Sequence, residues 1–273
     1  MSDVLAERFQ RDGFVIVEDF FHPRLVRDLV DDVKRVFFMR DRREDVAGID
    51  DAALDERLKT LFVEDFATYH GAAKLCNHLL SLYRIAVDDK LDSLMQRIGV
   101  QHPTLAARPL MWFHAPQLAK TPRYAKLPAH QEWSNMQGSL DGVVAWTPLV
   151  NIDAEMGRLQ VVPGSHTAGL LPFGADDAAD YPLALDDQDH DFVEVEVPPC
   201  GLLLFSAFLI HRSGDNQSDR ARLTVNFRYN NATEPTFIER RYVDPFHYAV
   251  ATELVTPDFW PGATGASDER RSA

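Results

Sequence analysis

Apolar residues follow two rhythms along this chain. Before Gly99 they return every three or four positions, the spacing that gathers them on one face of a helix. The clearest case opens at His22-Pro23, where Leu25, Leu29, Val33 and Val36 form an apolar stripe and Arg27, Asp28, Asp31 and Lys34 stand between them. Proline suits this start, because the N–H it lacks would have no partner in the first helical turn. A short helix near Val4 to Arg11, an apolar strand at 13–17, and further helices around Asp51 to Phe62, Tyr69 to Ile85 and Asp88 to Ile98 complete a predicted helical third, residues 1–107.

From Arg108 the rhythm shortens. Runs that alternate or stay apolar for a few residues are broken by Pro, Gly, Asn and Asp: LeuMetTrpPheHis at 110–114, GlyValValAlaTrpThrProLeuVal at 142–150, ArgLeuGlnValVal at 158–162, PheValGluValGluVal at 192–197, GlyLeuLeuLeuPhe at 201–205 and ArgLeuThrValAsnPheArgTyr at 222–229. Short strands at this density predict a barrel or sandwich over 108–232. No internal repeat and no Gly/Ser- or Pro-rich linker separates the two regimes, so the expectation is one domain over 1–273, mainly β, with helices packed on one face. Residues 233–273 form a C-terminal segment whose small and charged end, from about Gly262, predicts a frayed tail.

Composition narrows the partners. A formal charge of −14 repels phosphate backbones and anionic lipid, so neither nucleic acid nor a membrane surface is expected as a partner. Part of that excess lies in an acidic stretch at 176–191, read as a solvated loop. Two distant cysteines, Cys76 and Cys200, make neither a disulfide framework nor a zinc motif. With no apolar leader and no run of about 18 apolar residues, a cytoplasmic protein is expected, its oligomeric state left open.

The chemistry concentrates in ProAlaHisGlnGluTrp at 128–133. If this segment is a strand, alternation puts His130 and Glu132 on one face, where an imidazole and a carboxylate can share a divalent cation. A third ligand from elsewhere would complete a facial triad with open positions for small molecules. Such a pair arises readily by chance among ten histidines and 42 acidic residues. The segment from Phe208 to Val225 adds the weight: His211, then Ser213 on the same strand face, then Arg222 at the start of the next strand. A 2-oxo acid chelating iron leaves its far carboxylate needing a cation, and a guanidinium binds carboxylates bidentately while Ser213 offers a hydroxyl. Alternation from Arg222 sets Arg222, Thr224, Asn226 and Arg228 on a polar face toward a cavity, and Leu223, Val225, Phe227 and Tyr229 on an apolar face toward the helices.

Here the chain resembles the phytanoyl-CoA dioxygenase family of iron(II)- and 2-oxoglutarate-dependent oxygenases. The resemblance covers most of the sequence and is carried by HisGlnGluTrp at 130–133, AlaTrpThrProLeu at 145–149, GlyArgLeuGlnValValProGlySerHis at 157–166, and HisArgSerGly with the later Arg and ArgTyr between 211 and 229. It implies a double-stranded β-helix (jelly-roll, cupin-like) core, with Fe(II) held by His130, Glu132 and His211, 2-oxoglutarate held by Arg222 and Ser213, and O₂ as co-substrate. Trp146 matches an aromatic position near the co-substrate, and His114 falls about where many members carry a lysine that reaches the 2-oxo acid. The chain departs from the family's usual HisxAsp by carrying Glu132. Members that halogenate have Gly or Ala there, so a carboxylate implies oxygenation.

Other residues were weighed against plainer roles. Trp133, Asn135, Gln137, Asn226 and Arg228 are candidates for contact with substrate, although aromatic side chains on strands are more often core. Gly157 and Gly164 suit turns that need positive φ. His22, His70, His78, His102 and His166 read as surface or loop residues rather than ligands. The expected function is a dioxygenase that hydroxylates or otherwise oxidises a small metabolite or natural-product intermediate, releasing succinate and CO₂. A non-catalytic ligand-binding or sensing module on the same fold is the alternative, with an acyl-CoA hydroxylase behind it. A metal-dependent hydrolase or isomerase would need no Arg222 and Ser213 pair.

Overall fold

The computed structural model describes residues 3–41, 45–118, 126–172, 185 and 190–243. The predicted tail and nearly all of the acidic 176–191 stretch lie outside them. Six helices precede the main β region: α1 (Val4–Asp12), α2 (Pro23–Phe38), α3 (Asp51–Glu64), α4 (Phe66–Cys76), α5 (Leu80–Ala86) and α6 (Asp89–Arg97). The start of α2 is as predicted: the His22 side chain caps it by accepting from Arg24 N–H, and Pro23 occupies the first turn.

One expectation fails in an informative way. The periodicity of 69–85 predicts a single helix, but the chain breaks between α4 and α5. Asn77 sits in that break with its side chain buried, and its Oδ1 accepts the Met111 N–H at 2.6 Å. The interruption turns a side-chain acceptor toward a strand edge that has no further neighbour to satisfy it.

The strands are β1 (Phe14–Val17), β2 (Pro103–Leu105), β3 (Leu110–His114), β4 (Val143–Pro148), β5 (Leu159–Val161), β6 (Val193–Glu194), β7 (Leu202–Ser206), β8 (His211–Ser213) and β9 (Arg222–Asn231). All pairings are antiparallel. The larger sheet runs β1-β7-β4-β9, and the far edge of β9 is shared end to end by β3 and β2; the smaller sheet runs β6-β5-β8. Together they form the double-stranded β-helix. Two strands of the large sheet, β1 and β2, come from within the helical third, so the sheet reaches outside the predicted 108–232. The run at 192–197 pairs as a strand over two residues only, after which Val195 and Val197 are buried between the sheets.

Strand alternation divides the core into two. On the outer face of the large sheet, Met111, Phe113, Val143, Ala145, Leu202, Leu204, Leu223, Val225, Phe227 and Tyr229 merge with the buried residues of the helices. On the inner face, Val144, Trp146, Leu203 and Phe205 meet Val161 of the small sheet. A short helix, α7 (Trp133–Met136), lies between β3 and β4, and α8 (Pro235–Glu239) follows β9. Among the described residues no helix is long and apolar enough to cross a membrane.

The helices are also tied to β9 by a polar contact, since the buried Tyr229 hydroxyl donates to the Ala86 carbonyl at 2.6 Å. Tyr229→Phe leaves that carbonyl without its partner, which costs about 1–2 kcal/mol. Thermal unfolding should show a melting temperature lower by a few degrees, with metal binding unchanged.

Candidate metal centre

His130 and His211 are brought together by the backbone before their side chains meet. The two residues form an isolated antiparallel bridge, His130 N–H to His211 C=O at 3.0 Å and His211 N–H to His130 C=O at 3.1 Å, which adds one more rung to the edge of the small sheet. Their rings stand 4.2 Å apart between centroids. Each ring is then oriented by its own backbone: His130 Nδ1 lies 2.7 Å from the Pro128 carbonyl and His211 Nδ1 lies 3.0 Å from the Leu209 carbonyl. A carbonyl can only accept, so both Nδ1 atoms carry a proton, and in the neutral form of each ring the lone pair is on Nε2.

Glu132 supplies the third donor, but not from a strand. Extending the bridge would pair residue 132 with 209, and there the partner chain turns, Leu209 N–H bonding to Ser206 C=O at 2.9 Å. With no ladder to join, Glu132 takes helical φ/ψ (−77°, −21°) as the cap of α7. The alternation argument therefore brought Glu132 to the two histidines through an incorrect local conformation. Glu132 Oε1 lies 3.7 Å from His130 Nε2 and 3.9 Å from His211 Nε2, and one ligand atom from each of the three residues falls within 4.8 Å of the others. All three side chains are buried.

The electrostatics suit a cation. Burial, the neighbouring His130 and the positive Arg228 push His211 down to about 3, so its imidazole is neutral at ordinary pH and available as a ligand. For Glu132, burial pushes the carboxyl upward, but the charge and hydrogen bonds of Arg228 overcome it and hold the group well below the usual carboxylate range. Two imidazoles and one carboxylate are the donor set of a facial triad, and they fit a divalent iron ion with positions left open.

Next to these donors is a small cavity, bordered by the three candidate ligands and by His114, Trp146, Ser213, Arg222, Thr224 and Asn226. Arg222 sits at the start of β9. Its Nη1 donates to the Gly157 carbonyl and to the Gly214 carbonyl, the latter at 3.2 Å, while Nε and Nη2 are buried without a partner. Burial lowers its pKa to about 10, so it remains a cation near neutral pH. An oriented guanidinium with spare buried donors fits one end of a dicarboxylate such as 2-oxoglutarate.

Glycines make that grip possible. Gly157 has φ +73°, and a Cβ there would come within 2.4 Å of the Asp215 carbonyl oxygen; one on Gly214 would come within 2.3 Å of the Arg158 carbonyl oxygen. Only two residues without side chains let these backbones approach closely enough to present both carbonyls to Arg222. Gly157 was predicted as a turn residue, and its part in holding Arg222 was missed. Gly164 also has the positive φ expected of it.

The remaining predicted residues divide clearly. His114 stands opposite Arg222 in the β3–β9 register and borders the cavity, stacked on Trp112 with centroids 5.4 Å apart. Trp146 and Asn226 are cross-strand partners on the inner face, and Asn226 Oδ1 is buried without a partner. Ser213 lies on the same side as His211, as expected. Asn135 donates to Glu132 Oε2 at 3.2 Å, and Arg228 also binds Glu132. Trp133 and Gln137 do not border the cavity. Trp133 is 1% exposed, stacks on Phe208 at 5.6 Å and donates its indole N–H to the Ser139 carbonyl, so it belongs to the core. Gln137 closes α7 with φ +48° and donates its amide to the Ser134 carbonyl. Sequence reasoning missed Trp112, Leu127, Ile152 and Phe205 as cavity walls; for Trp112 the signal was its alternation with His114.

A family model described as phytanoyl-CoA dioxygenase (PhyH) matches residues 9–224, a span that includes all three candidate ligands and Arg222. The chain belongs to the phytanoyl-CoA dioxygenase family. It is 30% identical over 134 residues to a probable phytanoyl-CoA dioxygenase of Caenorhabditis elegans, an alignment that covers 45% of this chain and 43% of that protein. To a phytanoyl-CoA dioxygenase domain-containing protein 1 homolog of Caenorhabditis briggsae it is 24% identical, covering 81% of this chain and 88% of that protein. Its fold is similar to that of the epimerase SnoN solved with Fe3+, α-ketoglutarate and nogalamycin RO (TM-score 0.55, 20% identity, 84% of this chain and 83% of that one). The non-haem monooxygenase ThoJ in its apo form is another match (TM-score 0.58, 17% identity, 83% and 77%). At 17–20% identity, these likenesses are of fold.

The buried histidines give the metal-free protein a characteristic acid response. Burial, together with the charge of Arg222, lowers His114 to about 3, as His211 is lowered, from an ordinary value of 6.5. Between those values the unfolded chain takes up protons that the folded chain refuses. Stability is therefore complete above about pH 6.5 and falls as pH drops toward 3. Melting temperatures of metal-free protein measured from pH 7.5 to pH 5 should decline, and His114→Gln should make that slope shallower.

Proposed function

We propose that this chain is an Fe(II)- and 2-oxoglutarate-dependent dioxygenase that oxidises a small organic molecule, with His130, Glu132 and His211 holding the metal and Arg222, aided by Ser213, holding the co-substrate. The observation that carries the reading is a pair of features bordering one cavity: three convergent donors with both imidazole Nδ1 atoms held by backbone carbonyls, and a buried arginine that keeps two nitrogens unpartnered. A metal-dependent hydrolase would have use for the first but not the second.

Iron bound with a 2-oxo acid and O₂ supplies the oxidising power to cleave a substrate C–H bond, at the cost of converting the 2-oxo acid to succinate and CO₂. The protein's contribution is position and shielding. Arg222 fixes the far carboxylate of the acid, and its two glycine carbonyl contacts fix Arg222. His114 borders the same cavity beside Arg222 with a neutral ring, able to hydrogen-bond the co-substrate without adding charge. Trp112, Trp146, Leu127, Ile152 and Phe205 form apolar walls that exclude water from reactive species. Asn226, with an unpartnered buried carbonyl oxygen between the co-substrate end and the metal end of β9, is placed to accept a hydrogen bond from a bound molecule.

The reading is tested by anaerobic titration of the metal-free protein with Fe(II) and 2-oxoglutarate, following the visible metal-to-ligand charge-transfer absorption. The band should form in the wild type and vanish in His211→Ala. Arg222→Met should keep metal binding but weaken 2-oxoglutarate binding by about 100-fold, since a charge-assisted bidentate contact of roughly 3 kcal/mol is lost. Absence of the band from wild-type protein, or its persistence in His211→Ala, would overturn the proposal. Screening metabolites for those that stimulate succinate release would then identify the substrate class and separate an enzyme from a binding module.

A further inference from the structure

Two arginines point inward from β9, at its first residue and six residues later (228 − 222), and their surroundings assign them different work. Arg222 borders the cavity and keeps two nitrogens unpartnered. Arg228 lies on the same strand face but does not border the cavity, because Glu132 stands in front of it. Its Nε donates to Glu132 Oε2 at 2.7 Å and its second terminal nitrogen donates to Oε1 at 3.2 Å, the parallel fork that guanidinium and carboxylate form best. Asn135 adds a third donor to Oε2 at 3.2 Å. Oε2 is thus committed to the protein, and Oε1 is the oxygen nearest both imidazoles.

We infer that Arg228 is a positioning residue for the metal: it clamps Glu132 so that Oε1 alone faces His130 and His211, and it does not bind substrate. The inference rests on the metal-binding reading above and corrects the sequence expectation that Arg228 contacts substrate. Three physical facts support it. Glu132 is not held by a strand ladder, since it lies at the entry of a one-turn helix. A glutamate also has one more rotatable bond than an aspartate, so its carboxylate needs an external brace to keep one direction. Finally, the carboxylate is 3% exposed, and a buried anion of this kind persists only when paired and hydrogen-bonded. Arg228 meets both needs before any metal arrives.

The test uses Co(II), which is stable in air and reports its ligand field optically. Calorimetric and optical titrations of the full chain compare wild type, Arg228→Met, Arg228→Lys, Glu132→Ala and the double variant Glu132→Ala with Arg228→Met. Arg228→Met should weaken Co(II) binding about 10–100-fold and alter the cobalt spectrum. Arg228→Lys keeps the charge but loses the fork, and should fall between Arg228→Met and wild type. With Glu132 already removed, the Arg228→Met change should cost no further affinity, because its effect passes through that carboxylate. Wild-type affinity and spectrum in Arg228→Met, or in Arg228→Lys should Arg228→Met not fold, would refute the inference while leaving the metal site standing. So would equal losses of affinity with and without Glu132. Failure of wild-type protein to bind Co(II) would instead remove the proposed function, and this inference with it.

Discussion

The structure depends on one strand keeping its register. β9 is buried along all ten of its residues, with β4 on one side and β3 and β2 on the other, and its two faces meet incompatible surroundings. Leu223, Val225, Phe227 and Tyr229 enter the apolar core shared with the helices, while Arg222, Thr224, Asn226 and Arg228 face the interior of the jelly roll. A slip of one residue would exchange the sets and drive two guanidinium groups into hydrocarbon, a cost far larger than the stability of a folded domain. The same register sets Arg222 opposite His114 and Asn226 opposite Trp146, and it carries Arg228 to Glu132. Core packing and site geometry are therefore consequences of a single alternation.

Within that frame the polar groups are arranged so that each has a defined orientation before anything binds. Each candidate ligand histidine donates Nδ1–H to a backbone carbonyl, which leaves Nε2 as the nitrogen free to bind. Glu132 is kept as an anion by Arg228, and Arg222 is kept oriented by two carbonyls. The four carbonyls that do this belong to Pro128, Gly157, Leu209 and Gly214, all outside the long strands, where backbone groups are not consumed by sheet pairing. The irregular segments between strands thus supply the acceptors that a complete sheet could not.

Much of this was legible in the sequence, and the failures share a cause. Short apolar runs identified β3, β4 and β7, and alternation gave the two faces of β9. The His211, Ser213 and Arg222 spacing was readable because one loop joins β8 to the start of β9. What could not be read depended on partners distant in the chain. The helical periodicity at 69–85 said nothing of Asn77 leaving the helix to satisfy Met111 N–H. Nothing local revealed that residue 209 turns away from residue 132, so Glu132 was placed on a strand it does not join. Trp133 looked like a pocket wall because it follows the metal motif, but the same turn that presents Glu132 rotates Trp133 onto Phe208 in the core. Arg228 was correctly given an inward side chain, and only the tertiary structure shows that a carboxylate lies between it and the cavity.

In the proposed metal site, the off-strand position of Glu132 bears on its departure from the HisxAsp pattern that the family resemblance implies. A ligand two residues along a regular strand from His130 would need only a short side chain to reach a shared ion. Turning the chain into a helix at that residue changes the direction of its Cα–Cβ bond, and a longer side chain can recover the reach at the price of freedom about an additional bond. That freedom then has to be removed by hydrogen bonds from the surroundings, which Arg228 and Asn135 provide. Asn135 lies in the same helical turn as Glu132, three residues on, so the turn that displaces the ligand also helps to secure it. The other brace comes from the register of β9. In the proposed site, glutamate, helical turn and inward arginine therefore form one solution, each giving the other two their use.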